Sequence, residues 1–162
     1  MTDIVLPSPL RAITLWQPWA WALIFANKDY ENRPRSLGVT GWVAVHVGLH
    51  RDDEYEFDAL RSMPNGIRKV SNETIQEQRG HIIGLARINR WVDRRDARPS
   101  PWLAPLLGVA AVITDRIALK TPVKCRGMQG AWRVPEDVER QVREQLRPAE
   151  IVPDVPLTGA RC

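Results

Sequence analysis

The sequence predicts an α+β fold, on three observations. Strand-sized segments that alternate in polarity or are rich in β-branched residues begin at Ala12, Trp42, Gly80, Val109 and Ala131. Helical patterns follow Pro18 and Pro135. A chain of 162 residues with 44% hydrophobic content suits one domain with a real core.

Ala12 to Trp16 reads as the first strand. Pro18 suits the first position of a helix, where its missing N–H is not needed and its φ is already helical. The apolar run Trp19 to Ala26 then makes about two turns. Trp19, Ala22, Leu23 and Ala26 share one face, with Trp21 and Phe25 nearly opposite, so this helix is expected to be buried on more than one side or to line a ligand groove. Lys28, Glu31 and Arg33 follow in what reads as a charged turn. Two readings stand for them: a mutually neutralising cluster at a pocket mouth, or a solvated way out of the helix. Asn32 to Val39, with Pro34 and Gly38, is loop or edge strand.

Trp42 to Val47 alternates, placing Val43, Val45 and Val47 on one face and Trp42, Ala44 and His46 on the other. His46 thus ends a strand, where it serves either as a satisfied structural imidazole or as a proton carrier. Asp52 to Arg61 has helix character, with Asp52 or Asp53 as its cap, and Met63 to Gly66 is a turn. Lys69 to Arg79 lacks a clear period and reads as a long loop or weak helix. Gly80 to Arg90 is a strand in which Gly84 marks a bulge or bend. Asp93 to Leu106, with three prolines, forms an irregular arm. Val109 to Leu119 makes one long strand or two short ones, Pro122 to Gly130 a connection, and Ala131 to Val134 a closing strand. The final helix carries Glu136 and Asp137 at its positive end and Val138, Val142 and Leu146 as its apolar stripe. The expected division is an N-terminal arm over 1–11, a domain over 12–147 and a mobile tail over 148–162.

Cys125 and Cys162 are too few for a disulfide scaffold, and no Cys/His spacing suits zinc, so neither metal nor cofactor is expected. No apolar run approaches the roughly 20 residues of a membrane helix, and no secretory signal is visible, which makes a cytoplasmic protein the expectation. A net charge of +4 is compatible with a polyanionic partner. Arg87, Arg90, Arg94, Arg95 and Arg98 fall within twelve residues around Trp91. That pattern suits phosphate contact and base stacking, or else a solvated loop partly offset by Asp93 and Asp96. Gly-x-Ser-x-Gly elbows and phosphate-binding Gly-rich loops are missing, which argues against those hydrolase and nucleotidase classes. Cys125 beside Lys124 and Arg126 is either an activated thiol or a small buried hydrophobe.

Leu15-Trp16-Gln17-Pro18-Trp19-Ala20, then Lys28-x-x-Glu31-x-Arg33, then Gly41 with His46, resembles the signature of the ASCH domain family. Ala26 stands where the family's glycine is expected. Gly80 to Gly84, Ser100-Pro101-Trp102 and Cys125-Arg126-Gly127 with Gly130-Ala131-Trp132 resemble its later segments, so the likeness runs roughly from Ala12 to Val138. It implies a small β-barrel of the PUA-like superfamily with peripheral helices, closed or nearly closed with roughly five to seven strands, and an association with RNA.

Two functions are weighed. As a binding module, the chain would hold RNA, another single-stranded nucleic acid or a modified nucleoside. Trp19 or Trp21 would stack on a base, Lys28 and Arg33 would hold phosphate, and Gln17 or Glu31 would read a base edge, with Trp91, Arg94 and Arg126 contributing outside the pocket. As an RNA-directed hydrolase it would use Lys28, Glu31 and His46. A lysine enclosed by tryptophans would lose hydration and become a better base, whereas Glu31 favours its charged form. Family amidohydrolases that deacetylate acetylated cytidine use Lys-x-x-Thr with a threonine nucleophile; here Glu31 occupies that position, and the acyl-accepting hydroxyl is lacking. Other family members cleave RNA, which implies Lys28, Arg33 and His46 as a charge-stabilising and proton-moving set. Binding is the favoured function.

Overall fold

A computed structural model describes residues 4–50, 54–63, 71–105 and 108–146. Its elements in order are β1 (Arg11–Leu15), α1 (Trp19–Phe25), β2 (Tyr30–Arg33), β3 (Gly41–Val47), α2 (Glu54–Ser62), α3 (Asn72–Gln76), β4 (His81–Asp93), a 3-10 turn (Arg94–Asp96), β5 (Val109–Lys124), β6 (Ala131–Arg133) and α4 (Glu136–Leu146). The six strands form one sheet in the order β2-β5-β4-β3-β1-β6, with β1 and β3 parallel and the other pairs antiparallel. The α+β class and the strand count are as the sequence predicts. The sheet curls into a half-barrel whose edges are β2 and β6.

The curl has a local cause. Register shifts interrupt the β3–β4 pairing at Val45/His46 and the β4–β5 pairing at Ile82/Gly84, Arg87/Ile88 and Ile88/Arg90. Each extra residue bends its strand and increases the twist. Gly84 sits at one such shift because a Cβ there would stand 2.5 Å from the Ile117 carbonyl oxygen and 2.8 Å from Ile24 Cδ1. The bend thus lets α1 lie close on the sheet.

Strand alternation builds two cores on opposite faces. Ala12, Ala44, Ile82, Leu85 and Leu119 pack with Trp132 and with Val138 and Val142 of α4. Leu6 and Leu10, ahead of β1, are buried in the same cluster. On the other face Ile13, Leu15, Val43, Val45, Val47 and Ile83 pack under Ala20, Leu23 and Ile24 of α1. A third cluster joins Ala22 and Ala26 of α1 to Leu60 of α2, Ile75 of α3 and Trp102, with Trp19, Trp21 and Met63 against it. Helix α1 is therefore buried on two sides, as its all-round apolar pattern requires.

Several boundaries differ from those read in the sequence. Pro18 is the residue before α1 rather than its first, and Gln17 supplies the cap: its Oε1 accepts the Trp21 N–H at 2.9 Å. The Lys69 to Arg79 stretch contains a short helix, α3, capped by the Ser71 hydroxyl, which accepts the Thr74 N–H. Asp52 and Asp53, Pro64 to Gly66 and everything after Leu146 lie outside the described residues. No described helix is long and apolar enough to cross a membrane.

Candidate functional site

Strand β2 and the turn before it set the site. Arg33 lies opposite Val109 and Tyr30 opposite Val112 on β5, so β2 is an edge strand with its other side turned to the interior of a cavity. The cavity holds about 760 Å3 and opens between β2, the ends of β1 and α1, and the segment Pro101 to Pro105. That volume lies within the usual range of small-ligand sites, roughly 300–1,000 Å3.

Lys28, Glu31 and Arg33 all line it. Lys28 is 3% exposed and donates to the Tyr30 carbonyl at 2.6 Å and to Glu31 Oε2 at 2.7 Å. The other carboxylate oxygen of Glu31 lies 3.2 Å from Arg33 Nε, close enough for an ion pair although the N–H is not aligned for a hydrogen bond. Arg33 also donates from Nη2 to the Thr14 carbonyl at 2.8 Å, tying β2 to β1. Of the two readings of these charges, the clustered one holds: one carboxylate sits between two cations, leaving the group at net +1. The pairing satisfies Glu31, which at 7% exposure would otherwise be an unpaired buried charge.

Tryptophans wall the cavity. Trp19 is half-buried, Trp102 is 7% exposed, and Trp16 at the mouth is 52% exposed and stacked on His50 at a 4.0 Å centroid distance. The segment carrying Trp102 is held by side chains of the same β2 region. Asn32 donates from Nδ2 to the Trp102 carbonyl at 2.7 Å and accepts the Ala104 N–H at 2.9 Å. Asp29 accepts from the Ser100 hydroxyl at 2.6 Å, and the Tyr30 hydroxyl accepts the Arg98 N–H at 3.2 Å. Strand β2 and the two residues before it thus present the charges with one set of side chains and pin the opposite wall with the others. Trp16, Asn32 and Trp102 were not among the site residues expected from the sequence. Ser100 between Pro99 and Pro101, followed at once by Trp102, was the available signal for this wall.

The other expected site residues lie elsewhere. Gln17 is fully buried, and its Nε2 donates to the Ile75 carbonyl at 2.8 Å and to Gln78 at 3.1 Å. It links α1 to α3. Trp21 packs in the third cluster and against Phe25. Trp91 donates its indole N–H to the Val39 carbonyl at 2.7 Å, and Arg94 and Arg126 are exposed. Arg95 forks onto Asp93 with two bonds of 3.0 and 3.1 Å, which hold that carboxyl down at about 2.

His46 is not in the cavity wall. It is directed toward the loop after β5, against Thr14 and Cys125. Its Nε2 lies 2.9 Å from the Cys125 carbonyl, which can only accept, so that nitrogen carries the hydrogen. Its Nδ1 lies 3.2 Å from the Thr14 hydroxyl, and the ring meets Trp132 edge-on at 5.5 Å. Burial lowers its pKa below the ordinary 6.5, with the charge of His81 adding to the effect and the Cys125 bond opposing it. Since the unfolded chain binds the proton more readily, His46 subtracts stability as pH falls below about 6.5. Gly127 packs flat on this ring: a Cβ there would lie 2.6 Å from Nδ1 and closer still to Cε1. Gly127→Ala should therefore destabilise the fold by about 1–3 kcal/mol, read as a lowered urea midpoint; an unchanged midpoint would mean that the loop yields freely. Cys125 beside it is buried, and its thiol is pushed up by burial and then by Asp137, the opposite of an activated nucleophile. Among the described residues, no group of His, Cys, Asp or Glu could hold a metal ion.

No family model and no curated protein matches this chain. Among solved structures it is similar to the crystal structure of ASCH from Zymomonas mobilis, at 15% identity and a TM-score of 0.48, with 84% of this chain and 94% of that one covered. Two mutants of that Zymomonas mobilis protein also match: a tyrosine-to-phenylalanine form (15% identity, TM-score 0.48, 84% of this chain and 97% of that one) and a serine-to-alanine form (14%, 0.46, 86% and 98%). At that identity and TM-score the likeness bears on neither substrate nor chemistry.

Proposed function

We propose that this chain is an ASCH-type domain that binds single-stranded nucleic acid, RNA above all, by taking one base into the cavity beside β2. The observation that carries the reading is the composition of that cavity: aromatic walls from Trp16, Trp19 and Trp102 over a buried Lys28–Glu31–Arg33 group of net positive charge. Stacking on indole is worth about 1–3 kcal/mol per base and suits any base, while the cations attract the polyanion. The hydrolase reading loses support from the position of His46. His46 does not line the cavity that holds Lys28 and Glu31, and its two ring nitrogens lie against the Cys125 carbonyl and the Thr14 hydroxyl.

The test is a filter-binding titration of a short single-stranded RNA with the parent protein, Trp19→Ala, Lys28→Ala and Lys28→Arg. Trp19→Ala and Lys28→Ala should each weaken binding about tenfold. Lys28→Arg should retain most affinity, because binding needs the charge and not a proton transfer. Turnover of the RNA by the parent, abolished by Lys28→Arg with the fold intact, would replace the binding reading with the hydrolase.

A further inference from the structure

The hydrogen-bonding inventory of the cavity is one-sided. Its side-chain acceptors already face donors or cations: both Glu31 oxygens lie against cations, and Asn32 Oδ1 accepts from the Ala104 N–H. Donors are in surplus. Lys28 carries three N–H groups and uses two. Arg33 carries five and directs one at Thr14 and one toward Glu31. The indole N–H groups of Trp16, Trp19 and Trp102, which can only donate, have no acceptor among the described residues.

The spare N–H groups of Lys28 and Arg33 therefore favour an occupant that presents acceptors to the polar side of this cavity. From this we infer that the cavity prefers a 6-oxopurine base, guanine or hypoxanthine, held through its O6/N7 edge. That edge carries two acceptors and no donor, and it is the edge that a guanidinium reads with two parallel bonds. Adenine offers a donor at N6 in place of O6 and is disfavoured. The inference rests on the reading of the cavity as a base site, and it names the base.

The experiment uses the full chain and five-nucleotide RNAs of uridine whose central residue is guanosine, inosine, adenosine or 7-deazaguanosine, with pentauridylate as the reference. Guanosine and inosine strands should bind at least about tenfold more tightly than the adenosine, 7-deazaguanosine and all-uridine strands. The inosine strand excludes a role for the exocyclic N2 amine, and the 7-deaza strand tests N7 itself. Arg33→Gln, which offers one donor and one acceptor as adenine requires, should shift the preference toward the adenosine strand. Should Arg33→Gln fail to fold, the parent panel alone decides. Equal affinity for all five strands, or equal competition by inorganic phosphate against all of them, overturns the base preference and leaves the binding function standing. No binding of any strand overturns both.

Discussion

Replacing Glu31 with glutamine should cost the fold about 3–5 kcal/mol, the usual penalty for removing one partner of a buried charge pair. The carboxylate is 7% exposed and stands 2.7 Å from Lys28 Nζ and 3.2 Å from Arg33 Nε. A glutamine amide would offer one acceptor where two cations now face two anionic oxygens. Arg33, with 24% of its side chain exposed, keeps some hydration, so most of the loss comes through Lys28 at 3%. The check is the urea midpoint with an unchanged slope. A double replacement, Lys28→Met with Glu31→Leu, should recover part of the loss, because it removes the stranded cation together with its partner. A loss under about 1 kcal/mol would place the pair in the class of exposed ion pairs.

Trp102→Ala should be comparably severe, at about 3–5 kcal/mol for a buried tryptophan. Its ring packs on Ala22, Ala26, Leu60 and Ile75, so the change opens a void where α1, α2 and α3 meet. The backbone anchors remain, since Asn32 holds the main-chain carbonyl and Ser100 Oγ accepts its N–H. The segment should stay in place while its side-chain wall is lost. Nucleic-acid affinity, measured below the unfolding midpoint, should then fall by an order of magnitude or more, the loss of one stacking surface. Full stability in Trp102→Ala would show that the ring is not packed as described.

What the sequence made legible follows from where the forces are local. Alternation at Trp42 to Val47 revealed β3 because one face must be apolar wherever a sheet is covered, and Val43, Val45 and Val47 are indeed buried together. The stripe Val138, Val142, Leu146 revealed α4 for the same reason at helical spacing. Strand β2 was hidden because its four residues, Tyr30 to Arg33, show no apolar alternation: Tyr30 and Glu31 are both buried, the second only through its cations. Proximity of Lys28, Glu31 and Arg33 in sequence hinted at their cluster. That the segment around Trp102 faces β2 was not legible locally, since Asn32 and Trp102 lie 70 positions apart and meet through one hydrogen bond of 2.7 Å. His46 shows the same limit. Its partners Thr14 and Cys125 are distant in sequence, and the register shift at Val45/His46 helps set where the ring points.

The central claim is that the cavity beside β2 receives a base of a single strand, and tryptophan fluorescence tests it most directly, because Trp16, Trp19 and Trp102 all line it. Titrating the parent protein with a short guanosine-containing RNA should quench that fluorescence with saturation at low salt, and the affinity should fall linearly in log–log terms as salt rises. Trp19→Ala should remove much of the quench. Quenching that neither saturates nor responds to salt, or that persists unchanged in Trp19→Ala, would contradict the assignment of this cavity as the binding site.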